Sequence, residues 1–395
     1  MQAIEDVDIQ KWVEYSKTYT QIRLIEMLKN QYPSHWALIM QQIPIQSKLK
    51  NKLPSWYAKG CMVTTKALEQ ASSEATAIFK ASLINGDTLV DISAGLGVDA
   101  FHFSKKFKHV ISIDTNKELN ELVRYNNYKL GANNITRLDN NAEEYLMCAT
   151  EKFDVVYCDA DRRPNATERV FTIENSTPNI LKLLPIIQNK AKKFLLKLSP
   201  LVDLTYICKT MPNIATIVVV GIKNEVKEIL VLIDFSNEKS EIEICATEVD
   251  FDGKITNRFS SFETIVNTKK LNLTHSYFYD PSVMLLKSNL VLQYANFIEA
   301  KLISKRSGYM VSEKEIENFF GRKFIVINQV SYSKSAINRY LTNNKISQAN
   351  VAARGFVDTV EGLRKSFKLK DGGEDYLFFG VDAVNEKWMW HTRKS

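Results

Sequence analysis

Asp91, Gly95, Gly97 and Asp99 stand together in LVDISAGLGVD, residues 89–99, where an apolar run ends in an acid and opens into a two-glycine turn. Glycines let the backbone turn tightly and approach a ligand with no Cβ in the way, so this stretch reads as a nucleotide-type site. Counted loosely, Gly95, Gly97 and Ala100 also satisfy the dinucleotide pattern G-x-G-x-x-A, a weak signal on its own. Charge argues against a dinucleotide. A diphosphate seeks the free N–H groups and positive dipole end of a helix N-terminus, yet Asp99 lies in that first turn and Asp91 stands close by. Two carboxylates repel a diphosphate. They suit a ligand carrying a cationic amino acid and a sulfonium, which is S-adenosylmethionine.

Further acids close the next strands. KHVISID, 108–114, ends in Asp114, which follows the glycines by about the 20 residues expected of a ribose-binding carboxylate. In NNITRLDNNAEEYL, 133–146, Asn141 and Ala142 stand where adenine would be met after the third strand. The competing reading makes Asp114 a helix cap and Asn141 a turn residue. KFDVVYCDADRRPN, 152–165, is a strand that empties into a loop holding Asp159, Asp161, Arg162 and Arg163. In an open parallel sheet, ligands bind beyond the carboxyl ends of the strands, near the point where strand order reverses. Methyl transfer from a sulfonium is an in-line displacement, so the protein's task is to hold the acceptor at attack distance and exclude water. For a nitrogen acceptor, Asp159 would orient the lone pair by accepting its hydrogen. Arg162 and Arg163 would clamp a phosphate or carboxylate of the substrate. The plain alternative is a solvated loop whose charges pair with one another.

On these residues the chain resembles the bacterial class I methyltransferases that carry a THUMP-like C-terminal domain. Their DxxxGxGxD-like turn, the acid closing the next strand and the DPARR-like loop read here as DISAGLGVD, ISID and DADRR. Upstream, ASSEATAIFKA, 71–81, is similar to the segment that covers the methionine end of the cofactor in that family, with Ser73, Thr76 and Lys80 as the matched positions. The resemblance adds Thr76, Lys80 and Ala94 to a cofactor set otherwise made of Asp91, Gly95, Gly97, Asp114, Asn141 and Ala142. Ala160 stands where the family has proline, an exchange expected to loosen the catalytic loop. FFGRKFIVI, 319–327, and ARGFVDTVEGLRKSFKLKDGGEDYLFFG, 353–380, resemble the THUMP-like segment, and YDPSVMLLKSNLV, 279–291, the ferredoxin-like segment before it. Association with RNA, usually transfer RNA, is what this resemblance implies about the substrate.

Charge points the same way from the residues themselves. From Met284 to Ser395 there are 18 Lys and Arg against 11 Asp and Glu, which accounts for the chain's whole excess of +7; the residues before balance at 34 and 34. A basic excess confined to one module is the footprint of a phosphate-contacting surface. Arg322, Lys323, Arg354, Arg364 and Lys365 are the foremost candidates. Solvated basic faces are common, so an RNA-binding protein that keeps the fold without turnover, or a methyltransferase for a protein or small molecule, stays in view.

The elements that must position these residues follow from periodicity. Residues 1–80 show helical spacing, as in YTQIRLIEMLKNQ with Ile22, Ile25 and Leu28 on one face. Strands near 88–92, 109–113, 134–137, 153–158 and 193–198 alternate with helices, and IATIVVVG and EILVLID suit a closing antiparallel hairpin. SFKLK and DYLFFG flank DGG, which predicts another hairpin. The fold class is therefore α/β. A doubly wound, seven-stranded Rossmann-like sheet at 81–240 is preceded by a helical region at 1–80. It is followed by the ferredoxin-like segment at 275–318 and a smaller α+β THUMP-like domain at 319–395. With 45% hydrophobic and 25% charged residues, the composition is that of an ordinary globular protein of two or three domains. No apolar run reaches bilayer length and no signal peptide opens the chain. Five scattered cysteines without a CxxC pair and five histidines outside HxH or HExxH spacing point to a reducing cytoplasm and no metal site.

Overall fold

The computed structural model describes residues 7–162, 173, 176–236, 241–262 and 276–395. Two compact units divide the chain. The first holds Met1–Ile222, Lys227–Ile242 and Val249–Thr256; the second holds Lys223–Val226, Glu243–Glu248 and Asn257–Ser395.

The first unit opens with helices α1 (Ile9–Thr18), α2 (Gln21–Gln31), α3 (Trp36–Lys52), α4 (Pro54–Ala58), α5 (Thr65–Gln70) and α6 (Glu74–Ser82). Asp8, Thr20, Thr64 and Ser73 begin α1, α2, α5 and α6 by accepting a backbone N–H three residues on, which satisfies a donor that the first turn leaves unpaired. The buried stripe of α2 is Leu24 and Leu28, whereas Ile22, expected on that face, is 74% exposed. Ile22 and Leu28 lie roughly 120° apart around a helix, while Leu24 and Leu28 are one turn apart and point inward together.

Strand and helix then alternate through β1 (Gly86–Asp91), α7 (Val98–Phe103), β2 (Phe107–Asp114), α8 (Lys117–Leu130), β3 (Ile135–Asp139), α9 (Ala142–Cys148) and β4 (Phe153–Asp159). Two-residue strands β5 (Asp161–Arg162) and β6 (Ser176–Thr177) pair with each other. After them come α10 (Ile180–Lys190), β7 (Ala191–Leu198), α11 (Leu204–Thr210), β8 (Ile214–Ile222) and β9 (Glu225–Asp234). β1 pairs in parallel with β2 and β4, β2 with β3, and β4 with β7, while β9 returns antiparallel to β7. The order β3-β2-β1-β4-β7-β9-β8 reverses direction between β1 and β4, which is where a doubly wound sheet opens a ligand crevice. Lys223 and Asn224, with φ 49° and 56°, form the tight turn between β8 and β9. β10 (Glu243–Val249) and β11 (Ile255–Phe262) follow in the chain and fall mostly in the second unit.

The helical region is built into this core. Trp12, Leu24, Leu28, Ile39 and Met62 pack with Leu122 and Tyr125 of α8. Leu49, Leu53, Trp56 and Val63 pack with Leu96, Val98 and Phe101 around the glycine turn. Buried Asn126 of α8 clamps the Met62 backbone from both sides, its oxygen accepting the N–H at 2.9 Å and its amide donating to the carbonyl at 2.7 Å.

In the second unit, β12 (Tyr277–Pro281), α12 (Val283–Lys287), α13 (Val291–Phe297), β13 (Lys301–Leu302) and β14 (Met310–Ser312) lead into β15 (Gly321–Ser331). Then follow α14 (Lys334–Asn343), β16 (Asn350–Ala353), α15 (Val360–Phe367), β17 (Asp375–Val381) and β18 (Lys387–Lys394). The seven strands run in the order β13-β14-β12-β15-β18-β17-β16. The hairpin expected across DGG is not there. SFKLK begins in α15, because Leu363 and Phe367, one helical turn apart, are buried with Ile337, Leu341 and Phe379. Lys368 then ends the helix in the left-handed conformation, φ 53°, a position glycine more often fills. The hairpin partner of β17 is β18.

Trp56 is fully buried and its indole N–H has no hydrogen-bond partner among the described residues. Trp56→Ala is expected to cost about 3–5 kcal/mol in denaturant unfolding. Trp56→Phe should cost clearly less, since it keeps most of the ring and removes the unpaired donor.

Candidate functional site

A cavity of about 1290 Å³ opens at the carboxyl ends of β1 to β4. Its floor is the Asp91–Asp99 turn, with Asp114, Asn141, Ala142 and Asp159 around it. Its facing walls come from the helical region, through His35, Leu38, Gln41 and the Thr64–Ser72 stretch, and from Ser176 to Asn179. Of these, the resemblance had placed only Ala71 and Ser72, at the head of the 71–81 segment, beside the cofactor; His35, Leu38, Gln41 and the residues from Thr64 to Gln70 were not expected there. Asp91, Ala94, Gly95, Gly97, Asp114, Asn141, Ala142 and Asp159 are thus brought together, whereas Thr76 and Lys80 stand behind the wall and do not line it.

The turn is held from several sides. Gly95 and Gly97 have φ of 47° and 83°, and a Cβ on Gly97 would also press on Val123 Cγ1 at 3.2 Å. The Gly95 N–H donates to Asp114 Oδ2 at 3.0 Å, and the other Asp114 oxygen accepts the Asn116 N–H at 2.8 Å. Arg137, buried on β3, reaches under the turn and donates to the Gly95 carbonyl, Ser112 Oγ and Asn120 Oδ1, each at 2.7 Å. Asn141 caps α9, its side-chain oxygen accepting from Glu143 N at 2.8 Å and Glu144 N at 3.3 Å.

The two acids flanking the glycines differ in kind. Asp99 accepts from the Tyr157 hydroxyl at 2.7 Å and the Ser72 hydroxyl at 2.9 Å and pairs with the Lys80 ammonium at 3.1 Å. Burial would raise its pKa, but Lys80, Lys197 and the two hydroxyls outweigh burial and hold the carboxyl below the usual range. Its charge is therefore spent inside the protein. Among the described residues Asp91 accepts only from Ser93, through the N–H at 3.0 Å and more distantly the hydroxyl at 3.4 Å. Burial, with Asp99 and Asp159 nearby, pushes it up to about 7 against the relief from the Ser93 N–H and Arg137.

Asp159 ends β4 with its N–H donating to Ser93 Oγ at 2.6 Å and its carboxylate in a very short contact with the ammonium of Lys197. Lys197 is its direct neighbour in the β4–β7 ladder. The Ala160 N–H donates to the Lys197 carbonyl at 3.1 Å. A proline could not make that bond, so the exchange at 160 adds a tether where loosening was expected. Behind this pair, Glu228 of β9 binds the Lys80 ammonium at 2.9 and 3.1 Å. Lys197, Glu228 and Arg137 were missed in the sequence. The available signal was a lone charge inside an apolar strand, in FLLKL and KEILVL.

Arg162 closes β5, and Arg163 lies outside the described residues. In the second unit, Asp280 holds both Arg322, at 2.5 and 3.0 Å, and Arg354, at 2.8 Å. Lys323 pairs with Glu315 at 2.8 Å and Arg364 pairs with Asp371. Of the five cations singled out there, Lys365 alone has no ion-pair partner among the described residues. Among the described residues no cluster could hold a metal ion, and no helix is long and apolar enough to cross a membrane.

Residues 321–394 match the family model described as THUMP domain-like. The whole chain has the fold of a protein from Porphyromonas gingivalis W83 described as a putative methyltransferase: TM-score 0.84, 25% identity, 98% of this chain and 97% of that one covered. A Streptococcus mutans protein of the same description, in complex with SAH, covers 41% of this chain and 96% of its own at 14% identity and TM-score 0.31. TrmK of M. capricolum, in complex with S-adenosyl-homocysteine, covers 42% and 70% at 16% identity and TM-score 0.33. Similarity at that level does not bear on this chain. No curated protein matches it. The chain thus combines a class I methyltransferase fold with a THUMP-like C-terminal region, as the sequence resemblance implied.

An acid whose folded-state pKa is raised binds its proton more tightly folded than unfolded, so ionising it costs stability. With Asp91 moved from 3.8 to about 7, that cost grows as pH rises between those values and levels off above. Asp91→Asn should therefore raise the melting temperature of the ligand-free protein at pH 8. The gain should shrink as pH falls through 7 and vanish near 4, as scanning calorimetry across that range would read.

Proposed function

We propose that this chain transfers a methyl group from S-adenosylmethionine to a nucleotide of RNA, transfer or ribosomal. The observation that carries the cofactor is the charge inventory of the cavity floor. Lys80 and Lys197 serve three carboxylates, Asp99, Glu228 and Asp159. Asp114 lies 3.9 Å from Arg137 and accepts a backbone N–H. Asp91 is buried with no ion pair among the described residues. A site with this surplus of carboxylates favours a cationic ligand and disfavours a diphosphate.

In this reading Asp91 faces the cationic end of the cofactor, and the backbone of Ala94, Gly95 and Gly97 lets it approach. Asp114 takes the ribose hydroxyls, while Asn141 and Ala142 meet the adenine. Thr76 and Lys80 act from behind, Lys80 by fixing Asp99. Asp159 touches the acceptor, with Arg162 and Arg163 on the substrate's phosphate. Bound there, the cofactor supplies the methyl group; the protein's share is to align acceptor and donor and keep water out.

The domain reading remains 1–80 helical, 81–240 catalytic, 275–318 ferredoxin-like and 319–395 THUMP-like, working in the cytoplasm. RNA as substrate is supported by the THUMP domain-like match and by the basic excess of the C-terminal residues. The pairing of Arg322, Lys323, Arg354 and Arg364 favours the rival substrate, a protein or small molecule, because a phosphate must displace a carboxylate from each.

Two measurements decide. Labelled methyl from S-adenosylmethionine should enter RNA from cells lacking this protein. Asp159→Asn should keep cofactor affinity within about threefold and lose transfer by on the order of 10²-fold or more; unimpaired turnover would remove Asp159 from the reaction. RNA affinity should fall steeply with salt as counterions are released. A flat salt response would point to the rival substrate.

A further inference from the structure

Behind Asp159 lies a chain of largely buried charge to which the cofactor reading gives no part in the transfer itself. Lys80 on α6, Lys197 on β7 and Glu228 on β9 have side chains 0%, 17% and 3% exposed. Lys80 binds Glu228, and Lys197, which feels the charges of Glu228 and Asp99, binds Asp159 at the β4 end of the cavity. Such clusters are poor devices for stability, since apolar residues of like volume serve as well or better. The placement of Lys197 is also specific. It is the ladder neighbour of Asp159, so the sheet register itself brings ammonium and carboxylate together. Burial alone would lower the Lys197 pKa, but Asp159, Glu228 and Asp99 outweigh burial and hold it well above its ordinary value. The ammonium is therefore a fixed positive charge and not a base.

A fixed cation beside the acceptor atom discriminates between nucleophiles. A nitrogen that attacks a sulfonium methyl gains positive charge, which the ammonium opposes. A hydroxyl oxygen sheds its proton as it attacks and carries negative charge on the way, which the ammonium favours. The pairing thus reverses the nitrogen preference that Asp159 alone had implied. We infer that Lys197 is a positioning residue that fits this site to an oxygen acceptor and, resting on the RNA methyltransferase reading above, that the acceptor is the 2′-hydroxyl of a ribose. Inside an RNA chain that is the one hydroxyl on offer. The hydroxyl donates its hydrogen to the Asp159 oxygen opposite the one held by Lys197. Its proton passes to that carboxylate and on to water. The new O–CH₃ bond forms as the methyl–sulfur bond breaks, and the electron pair of that bond stays on sulfur as a neutral thioether.

The test gives the full chain labelled S-adenosylmethionine and RNA from cells lacking it, then hydrolyses the RNA with alkali. A 2′-O-methyl group blocks cleavage on its 3′ side, so the label is expected in alkali-resistant dinucleotides. Lys197→Met should lower kcat by on the order of 10²-fold, with KM and the calorimetric affinity for S-adenosylhomocysteine within about threefold. Lys197→Arg, which keeps the charge, should restore about a tenth or more of the rate. Lys197→Gln, which keeps a hydrogen bond to Asp159 without the charge, should not, and it serves as the neutral variant if the methionine form misfolds. Label in mononucleotides bearing a methylated base would overturn the inference and leave the RNA reading standing. So would full turnover by both neutral variants with label still in dinucleotides, as far as Lys197 is concerned. Cofactor binding with no label in any RNA would remove the RNA reading, and the ribose acceptor with it.

Discussion

Carboxylates taken out of water must find positive charge or keep their protons, and much of the first unit follows from how its acids meet that demand. Asp99 draws Lys80 across from α6 and so seats that helix on α7. Asp159 is matched along the ladder by Lys197. Arg137, buried under the glycine turn, lies 3.9 Å from Asp114 and ties β3 to the Gly95 carbonyl. Asp91, left with the Ser93 donors, gives up its proton only near neutrality. The helices and strands around the cavity are thus fastened by the same charges that shape its chemistry.

The helical region belongs to this arrangement and is not an appendage. Its apolar residues share two clusters with α7 and α8, and its polar residues form the wall opposite the glycine turn. Asn126 clamps the Met62 backbone with both ends of its amide, which fixes the approach of the α5 segment to the cavity. A nucleotide-sized ligand bound at the floor would be enclosed by residues 34–41 and 64–72 as well as by the strand ends.

The parts of this picture that are local in the chain were legible in the sequence. Strands ending in Asp91, Asp114 and Asp159, the glycine turn and the β8–β9 hairpin all announce themselves through short-range periodicity and turn residues. What was not legible depends on distant partners. Lys80 and Glu228 are 148 residues apart, and Lys197 meets Asp159 only once β7 has chosen β4 as its neighbour. The SFKLK segment was misread because alternation over five residues resembles a strand, while burial of Leu363 and Phe367 against Phe379 selects a helix. Arg322 and Arg354 looked like free cations for the same reason: their shared partner, Asp280, belongs to another strand.

Glu228 has one more consequence. It lies on β9 two residues before Leu230, the ladder partner of Lys197, so Glu228, Leu230 and Lys197 point to one face of the sheet. Side chains alternate with a period of two along a strand, and a slip by one residue would send Glu228 to the opposite face. Lys80 would then lie buried beside Asp99 with half its negative charge gone. An apolar strand such as EILVLI could slide along β7 at little loss of hydrophobic contact. The single acid at its head makes the shifted alignment costly, so the cluster beside the cavity also acts as the alignment pin of the sheet's antiparallel edge.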